Sequence, residues 1–327
     1  MSSEVVVVTG ASAGVGRAVA HAFGRRGARV CLVARGLPGL EEARREVESL
    51  GGTAIVVQAD VAEHDQVEEA ARRCERELGP IDVWVNNAMA TVFARFADVS
   101  PEEYRRATEV TYLGTVHGTM AALRRMVPRD SGVVVQVGSA LAYRAIPLQS
   151  AYCGAKFAIR GFTDSVRTEL MHDGSNVWIT MVQLPALNTP QFNWCRTHLP
   201  EHPQPVPPIF QPEVAAEAIH WAAHERRREL DVGGSAVKAI IGNTLAPGLA
   251  DRYLAHTGFD SQQVSGLPVN GRRDNLFEPD PESAATHGMF DDRARRRSMQ
   301  LWANTHRSLV AASLTVAVAG LARLGRR

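Results

Sequence analysis

Short apolar runs alternate with amphipathic stretches along most of the chain. Residues 5–8 are four valines that end at Thr9 and Gly10, a pattern typical of a strand buried on both faces. Strands are predicted at residues 5–8, 30–33, 54–58, 83–85, 133–137 and 178–183, and helices at 17–26, 40–50, 65–78, 101–126, 151–171 and 213–228. Repeated strand–helix units of this kind predict an α/β fold with a doubly wound parallel sheet.

The second half of the chain departs from this alternation. Six prolines fall within residues 199–212, so this segment is neither regular helix nor central strand. Because it follows the sixth strand's carboxyl end, it is either a substrate lid or a surface connection stiffened by proline. Residues 232–241 are a candidate last strand. We therefore predict a single catalytic domain over residues 1–242 and a C-terminal extension over 243–327, of low order between residues 257 and 297.

The extension ends in an apolar stretch, residues 309–322, with arginines on both sides. At about 1.5 Å per residue, a helix of this length is shorter than the roughly 30 Å hydrocarbon core of a bilayer. Spanning is therefore not expected. Contact with a membrane interface and docking on a neighbouring subunit are the two alternatives.

Composition excludes several classes of function. The formal net charge is +1 and the basic residues are scattered, so nucleic-acid binding is not expected. The four cysteines show no CxxC pairing and no metal-ligand spacing, which is typical of free thiols in a reducing compartment, and no metal site is predicted. The N-terminus lacks the basic region of a signal peptide, so we expect a cytoplasmic protein, with peripheral membrane contact left open.

A glycine-rich turn joins the first strand to the first helix. It reads Thr9-Gly10-Ala11-Ser12-Ala13-Gly14-Val15-Gly16. Glycines at this spacing let the backbone approach a pyrophosphate, which faces the free N–H groups at the start of the helix. A plain strand-to-helix turn is the alternative, but the strand before and the helix after are the context that a dinucleotide fingerprint requires. A Rossmann-type site is predicted, with candidate contacts at Gly10, Ser12, Ala13, Gly14, Val15 and Gly16.

The end of the second strand carries a second cofactor signal. Folds that prefer NAD place a carboxylate there for the ribose hydroxyls, whereas this strand ends Val33-Ala34-Arg35. A guanidinium in that position can bind a 2′-phosphate, so NADP is predicted over NAD. The alternative is that Arg35 is one more surface arginine.

Four motifs, taken in order, resemble the short-chain dehydrogenase/reductase family. They are the glycine-rich turn, Asn86-Asn87-Ala88, Ser139, and Tyr152-x-x-x-Lys156, and the resemblance covers roughly residues 4–240. A tyrosine and a lysine four apart on a helix often form only a surface pair. Here the lysine is one of only two in the chain and the tyrosine lies 13 residues after a serine at a strand end, which makes the combination specific.

The resemblance implies an oxidoreductase in which Tyr152 is the general acid or base. Ser139 would orient the substrate oxygen, and Lys156 would hold the nicotinamide ribose. A tyrosine of pKa about 10 is poorly matched to neutral pH. A lysine one helical turn away, together with the positive charge of oxidised nicotinamide, would stabilise the phenolate.

The resemblance also implies further partners. Homodimers or homotetramers packed through the helices that contain Thr111 and Tyr152 are expected. The substrate is a small carbonyl or alcohol, hydrophobic because residues 140–143, 184–189 and the proline-rich loop with Trp194 are apolar on the whole. Asp60 has a competing interpretation as a helix cap or solvated loop residue. The remaining cofactor contacts that the resemblance implies are Asp60, Val61, Asn87, Ala88, Pro185 and Thr189.

Two positions depart from the family pattern. Thr111 stands where the family has an asparagine that helps to hold a water in the proton relay; threonine keeps a hydroxyl but has a shorter reach. Met89 stands where a glycine usually follows Asn-Asn-Ala, and it either lines the pocket or packs in the core. The missing asparagine supports an alternative function, a weakly active or inactive dinucleotide-binding redox sensor or scaffold of the same fold.

Overall fold

A parallel sheet lies at the centre of the molecule. The computed structural model describes residues 3–269, 271–280 and 284–310. The strands of the sheet are β1 (Val5–Thr9), β2 (Arg29–Ala34), β3 (Thr53–Gln58), β4 (Val83–Asn86), β6 (Val133–Ser139), β7 (Trp178–Leu184) and β10 (Glu229–Asp231). Within the described residues these seven strands are hydrogen-bonded in the order β10-β7-β6-β4-β1-β2-β3, which is the predicted doubly wound architecture.

Helices cover both faces of this sheet. They are α1 (Gly14–Gly24), α2 (Leu37–Ser49), α3 (His64–Leu78), α4 (Pro101–Thr108), α5 (Gly114–Met126), α6 (Ser150–His172), α7 (Gln191–Trp194), α8 (Pro212–His224), α9 (Gly234–Leu245), α10 (Pro247–Thr257) and α11 (Met299–Thr305). Short strands β5 (Val92–Phe93), β8 (Arg196–Thr197), β9 (Glu201–Pro203) and β11 (Gln263–Pro268) pair outside the sheet. Val6 and Val8 face the layer of α1 and α8, and Val5 and Val7 face the layer of α3 and α5, because successive side chains of a strand point to opposite faces.

The predicted helix over residues 101–126 is interrupted. Its two parts, α4 and α5, are joined by a π-helical turn at Glu109–Leu113. The helix begins where the sequence indicates, because the Ser100 hydroxyl accepts the Glu103 N–H at 3.2 Å and the Glu103 carboxylate accepts the Ser100 N–H at 3.1 Å. Turns of this kind occur mainly at functional sites, and this one contains Thr111.

The predicted strand over residues 232–241 is wrong. The strand in this region is β10, which ends at Asp231, and Val232 only donates its N–H to the Gln183 carbonyl at 3.0 Å. Gly233 then takes φ of +83°, a left-handed conformation that ends the strand, and α9 begins at Gly234. The predicted boundary at residue 242 therefore falls inside α9.

The extension is packed where the structure describes it, contrary to the predicted low order of residues 257–297. Leu276 and Phe290 are 1% and 2% exposed. The Arg272 guanidinium donates to the Phe192 carbonyl at 2.6 Å and also to the Cys195 carbonyl. After β11, which pairs with β9, the described part of the segment is irregular because side chains and isolated backbone contacts hold it.

No helix of the described part has both the length and the apolar character that crossing a bilayer requires. Of the predicted terminal apolar helix, residues 309–322, only Leu309 and Val310 belong to that part; the rest lies outside the described residues.

A buried polar network supports the strand that leads into the site. Asn86 donates to Thr119 Oγ1 at 3.1 Å and to Gln136 Oε1 at 3.0 Å, and Gln136 donates to Thr119 Oγ1 at 2.9 Å. Thr119 in turn donates to the Thr115 carbonyl at 2.7 Å. Since all three side chains of the network are at most 4% exposed, each hydrogen bond that it loses leaves a buried polar group without a partner.

We expect Thr119→Val to lower the free energy of unfolding by about 2–3 kcal/mol, because valine keeps the shape but removes the acceptor of two amides. Thr168→Val is the matched control: its side chain is exposed on α6, and we expect a change within about 0.5 kcal/mol. Urea denaturation of both variants measures this. Equal stabilities would show that the network contributes nothing.

Candidate active site

The glycine-rich turn has the shape of an anion-binding cradle. Gly10 and Gly14 take φ of +68° and +53°, and a Cβ on Gly16 would lie 2.1 Å from the Gly10 carbonyl oxygen. Helix α1 begins at Gly14, and Ala13 before it has no side-chain oxygen to cap the first N–H groups. The residues present therefore fit a phosphate group of a dinucleotide at the start of α1.

A set of hydrogen bonds ties this turn to the end of β4. Thr9 Oγ1 accepts the Asn87 N–H at 2.9 Å and the Ala88 N–H at 3.1 Å, and Asn87 Nδ2 donates to the Thr9 carbonyl at 2.9 Å. A Cβ on Gly10 would lie 2.9 Å from Ala88 Cα. Asn87 and Ala88 thus line the cleft and also fix the position of the turn.

Ser139, Tyr152 and Lys156 line one cavity beside this turn. Ser139 ends β6, its Oγ accepts the Leu141 N–H at 3.1 Å, and its hydroxyl acts on the Tyr152 phenol by lowering the pKa of that group. Tyr152 and Lys156 lie one turn apart on α6, with Lys156 Nζ 5.5 Å from the centre of the Tyr152 ring. Lys156 Nζ donates to the Val137 carbonyl at 2.6 Å, which joins α6 to β6.

Burial dominates the electrostatics of this group. It lowers the pKa of Lys156 from 10.5 to about 8, because the ammonium loses its water. It also raises the pKa of Tyr152 above its usual value, and the hydrogen bond from Ser139 opposes this only in part. In this state the phenol is therefore protonated at neutral pH, and activation as a base needs a further positive charge.

Thr111 lies apart from the cavity. It is fully buried in the π-helical turn, where Oγ1 donates to the Ala90 carbonyl at 2.9 Å and accepts the Ala90 N–H at 2.9 Å. Its single hydroxyl proton is thus committed to the backbone. Thr111 holds the loop that follows Ala88, and its hydroxyl has no direct contact with Lys156, so a role in a water-mediated proton relay stays a prediction.

The substrate cavity has a volume of about 360 Å³. Its apolar lining includes Leu141, Ile146, Leu184, Leu187, Phe192 and Leu254. The proline-rich segment contributes residues 204–207, so it forms part of the cavity wall. No sequence pattern predicts the contributions of α9 and α10 or of Gln149, whose amide donates to Gln262 Oε1 at 2.7 Å, because these contacts join distant parts of the chain.

Other residues that the sequence predicts lie where the cofactor cleft meets the substrate cavity. Val15, Asn87, Met89 and Thr189 line both the cofactor cleft and the substrate cavity, and Pro185 lines the cavity. Met89 is therefore a lining residue, one of the two roles that its position allowed.

The structure gives Arg35 partners that the sequence did not indicate. The guanidinium lines the cleft but donates to the carbonyls of Leu276 at 3.2 Å, of Phe277 at 2.8 Å, and of Asn275. It is thus not a free side chain waiting for a phosphate. Three of its five N–H groups point to the extension, and two remain.

Asp60 and Val61 do not line the cleft. The Asp60 carboxylate is ion-paired with Arg106 and accepts the Ala62 N–H at 3.0 Å. Val61 is buried against Gly114 of α5, where a Cβ would lie 2.6 Å from its side chain. Both residues therefore stabilise the chain at the end of β3. This agrees better with the alternative interpretation of Asp60, as a helix cap or loop residue, than with an adenine contact.

Comparison with known proteins places this geometry in a family. The model of the short chain dehydrogenase family matches residues 4–198. An uncharacterised oxidoreductase, YxnA of Bacillus subtilis, is 33% identical over 85% of this chain and 78% of its own length. A 3-dehydrosphinganine reductase of Danio rerio is 32% identical over 57% of each protein, so the chain matches little more than half of that relative.

A solved structure shows the same fold. An alcohol dehydrogenase from the archaeon Thermococcus sibiricus, complexed with 5-hydroxy-NADP, superimposes with a TM-score of 0.61 at 27% identity, over 70% of this chain and 94% of that one. The chain belongs to the short-chain dehydrogenase/reductase family. It is an oxidoreductase of the kind that acts on CH–OH groups.

We expect Lys156→Met to raise stability at neutral pH by roughly 2 kcal/mol, because a buried ammonium of depressed pKa destabilises the folded state. The sign follows from linkage: between pH 8 and 10.5 the unfolded chain holds the proton that the folded chain has lost, so the wild type gains stability there as the pH rises. The gap to the variant should shrink over that window.

Lys238→Met is the matched control, since Lys238 is the other lysine of the chain and is exposed. Urea denaturation at several pH values measures both variants. A Lys156→Met protein that is less stable than the wild type at pH 7 would contradict the burial argument.

Proposed function

We propose that this protein transfers a hydride between NADP(H) and a carbonyl or secondary alcohol of a hydrophobic small molecule, with Tyr152 as general acid or base. The observation that carries the proposal is the placement of Ser139, Tyr152 and Lys156 in a cavity that meets the cofactor cleft at Val15, Asn87 and Thr189. The reacting side chains and the dinucleotide cradle thus share one edge of the sheet.

The protein residues have separate tasks in reduction. The Ser139 hydroxyl donates a hydrogen bond to the substrate oxygen and orients it. When bound, the nicotinamide ring supplies the hydride. The Tyr152 hydroxyl gives its proton to the oxygen that receives negative charge, and its raised pKa keeps that proton available at neutral pH. The Lys156 ammonium then stabilises the phenolate that remains.

The cavity supports a hydrophobic substrate. Its volume of about 360 Å³ lies within the range of roughly 300–1,000 Å³ for small-molecule sites. Its apolar side chains come from several elements, including β7, α7, α9, α10 and the proline-rich segment, and the amide pair of Gln149 and Gln262 is among its polar residues. The proline-rich segment, residues 199–212, is proposed as the lid of this cavity.

NADP is the proposed cofactor because no carboxylate follows β2, and Arg35 retains an Nε–H and one Nη–H besides its carbonyl bonds. The solved relative from Thermococcus sibiricus was studied with an NADP derivative. Asp280 also lines this cleft and opposes a phosphate, so the preference rests on Arg35.

We also propose a cytoplasmic homodimer or homotetramer packed through α5 and α6. Leu113, at the end of the π-helical turn before α5, and Met120 and Phe157 on the two helices are between 38% and 45% exposed, and a partner subunit would bury them. All four cysteines are free, as in a reducing compartment.

We expect Tyr152→Phe to lower kcat about 10²–10⁴-fold while binding of NADPH stays within twofold of the wild type, since only the proton is lost. Tyr253→Phe is the control, because Tyr253 is exposed on α10. NADPH oxidation with a panel of aldehydes and ketones measures turnover. A wild-type protein that binds NADPH but turns over no member of the panel would support the sensor or scaffold function instead.

We expect Arg35→Ser to reduce the preference for NADPH over NADH about 10- to 100-fold, because a charge-assisted bond to the 2′-phosphate is lost. The ratio of the two Kd values is the quantity to measure, since it cancels effects that are common to both cofactors. Arg44→Ser on α2, which breaks exposed pairs with Glu41 and Glu48, is the control. An unchanged ratio in Arg35→Ser would reject the proposed role.

A further inference from the structure

Two described stretches of the extension, residues 272–280 and 284–291, lie along the cofactor cleft. We call them together the strap. Its first end is held by Arg272 on the carbonyls of α7 and by the Asp274–Arg196 ion pair at 2.9 Å. Its second end is held by Asn188, which accepts the Gly288 and Phe290 N–H groups at 3.2 and 3.0 Å.

The strap engages the two places that the proposed cofactor would use for its adenosine diphosphate group, Arg35 and the start of α1, and it also contacts Arg106 nearby. Arg35 after β2 donates to the carbonyls of residues 275–277. Arg106, which holds Asp60 after β3, donates to the Leu276 carbonyl at 3.1 Å. At the start of α1, the Gly14 N–H donates to the Ala285 carbonyl at 2.8 Å.

The fit is close at the apolar contacts as well. Leu276 is buried among the side chains beneath β2, β3 and β4, and a Cβ on Gly39 would lie 2.8 Å from Ala284 Cβ. The space that remains between the strap and the glycine-rich turn is about 170 Å³. That is small beside the roughly 300–1,000 Å³ of small-molecule sites, so the docked strap narrows the cleft that the adenosine half of a dinucleotide would enter.

We propose that the strap is an autoinhibitory element, which competes with the adenosine half of the cofactor for Arg35 and for the start of α1. The inference rests on the proposed cofactor. The contacts of residues 275–277 with Arg35 and of Ala285 with Gly14 break to admit the dinucleotide, and the substrate cavity with Tyr152 and Lys156 is unaffected. The apparent Kd then equals the intrinsic Kd divided by the fraction of molecules with the strap open.

The first test loosens the strap without touching the cofactor residues. Leu276→Ser removes a buried side chain from the docked state, and we expect the Kd for NADPH and for NADH to fall about tenfold each. Phe277→Ser is the matched control, since Phe277 is adjacent but 53% exposed, and its affinity should stay within twofold of the wild type. A higher or unchanged Kd in Leu276→Ser would overturn the proposal.

The second test uses the wild-type protein and so does not depend on how a variant folds. Hydrogen exchange of the strap amides should become faster on addition of NADPH, because the nucleotide displaces their partners. Slower exchange would show that the strap closes over the cofactor instead, which overturns the proposal. If neither the wild type nor Leu276→Ser binds any nicotinamide dinucleotide, the proposed function itself fails, whereas tight binding that Leu276→Ser leaves unchanged rejects the strap alone.

Discussion

The hydrogen bonds between Thr9 and the Asn87–Ala88 peptides join the two halves of the site. One threonine hydroxyl accepts two N–H groups from the chain after β4, and the Asn87 amide returns a bond to the Thr9 carbonyl. The glycine-rich turn is therefore fixed relative to β4 and to its neighbour β6, which ends in Ser139. The approach is so close that Gly10 has no room for a side chain, which gives the motif a packing role in addition to a place for phosphate.

The sheet could be predicted because its pattern is local. Val5–Thr9 and the other long strands are continuous apolar runs, and a run of valines buried on both faces fits few other structures. β10 could not be predicted in the same way, since it has three residues and two of them are acidic. Glu229 is compatible with a strand only because its carboxylate accepts the Tyr143 hydroxyl at 2.6 Å, a contact between residues far apart in the chain.

The candidate site likewise has one part that local motifs predict and another part that depends on contacts between distant residues. The motifs predicted that Ser139, Tyr152 and Lys156 act together, and the structure places all three in one cavity because β6 and α6 are adjacent. Asp60, Arg35 and Thr111 were less predictable, because each is bound by a partner that the motif does not contain. These partners are Arg106, the carbonyls of residues 275–277 and the Ala90 peptide. A motif specifies residue types at a spacing, whereas the partner of a charged or hydroxyl side chain depends on which distant segment the fold brings to it.

The burial of Lys156 and the hydrogen bonds of Arg35 to the strap both determine how the ligand-free site accommodates its charged groups. A buried ammonium and a buried phenol both destabilise the folded protein in their charged forms, so the ligand-free site favours a protonated tyrosine and a lysine of depressed pKa. Carbonyl groups of the strap satisfy the guanidinium of Arg35, which would otherwise face the cleft without an anion. At the adenosine end of the site, the Arg35 guanidinium needs a partner of opposite charge, and the strap supplies only carbonyl dipoles. A phosphate group that binds there replaces these weaker partners with a stronger one. The charge that makes the site bind an anion is thus the charge that draws the strap into it.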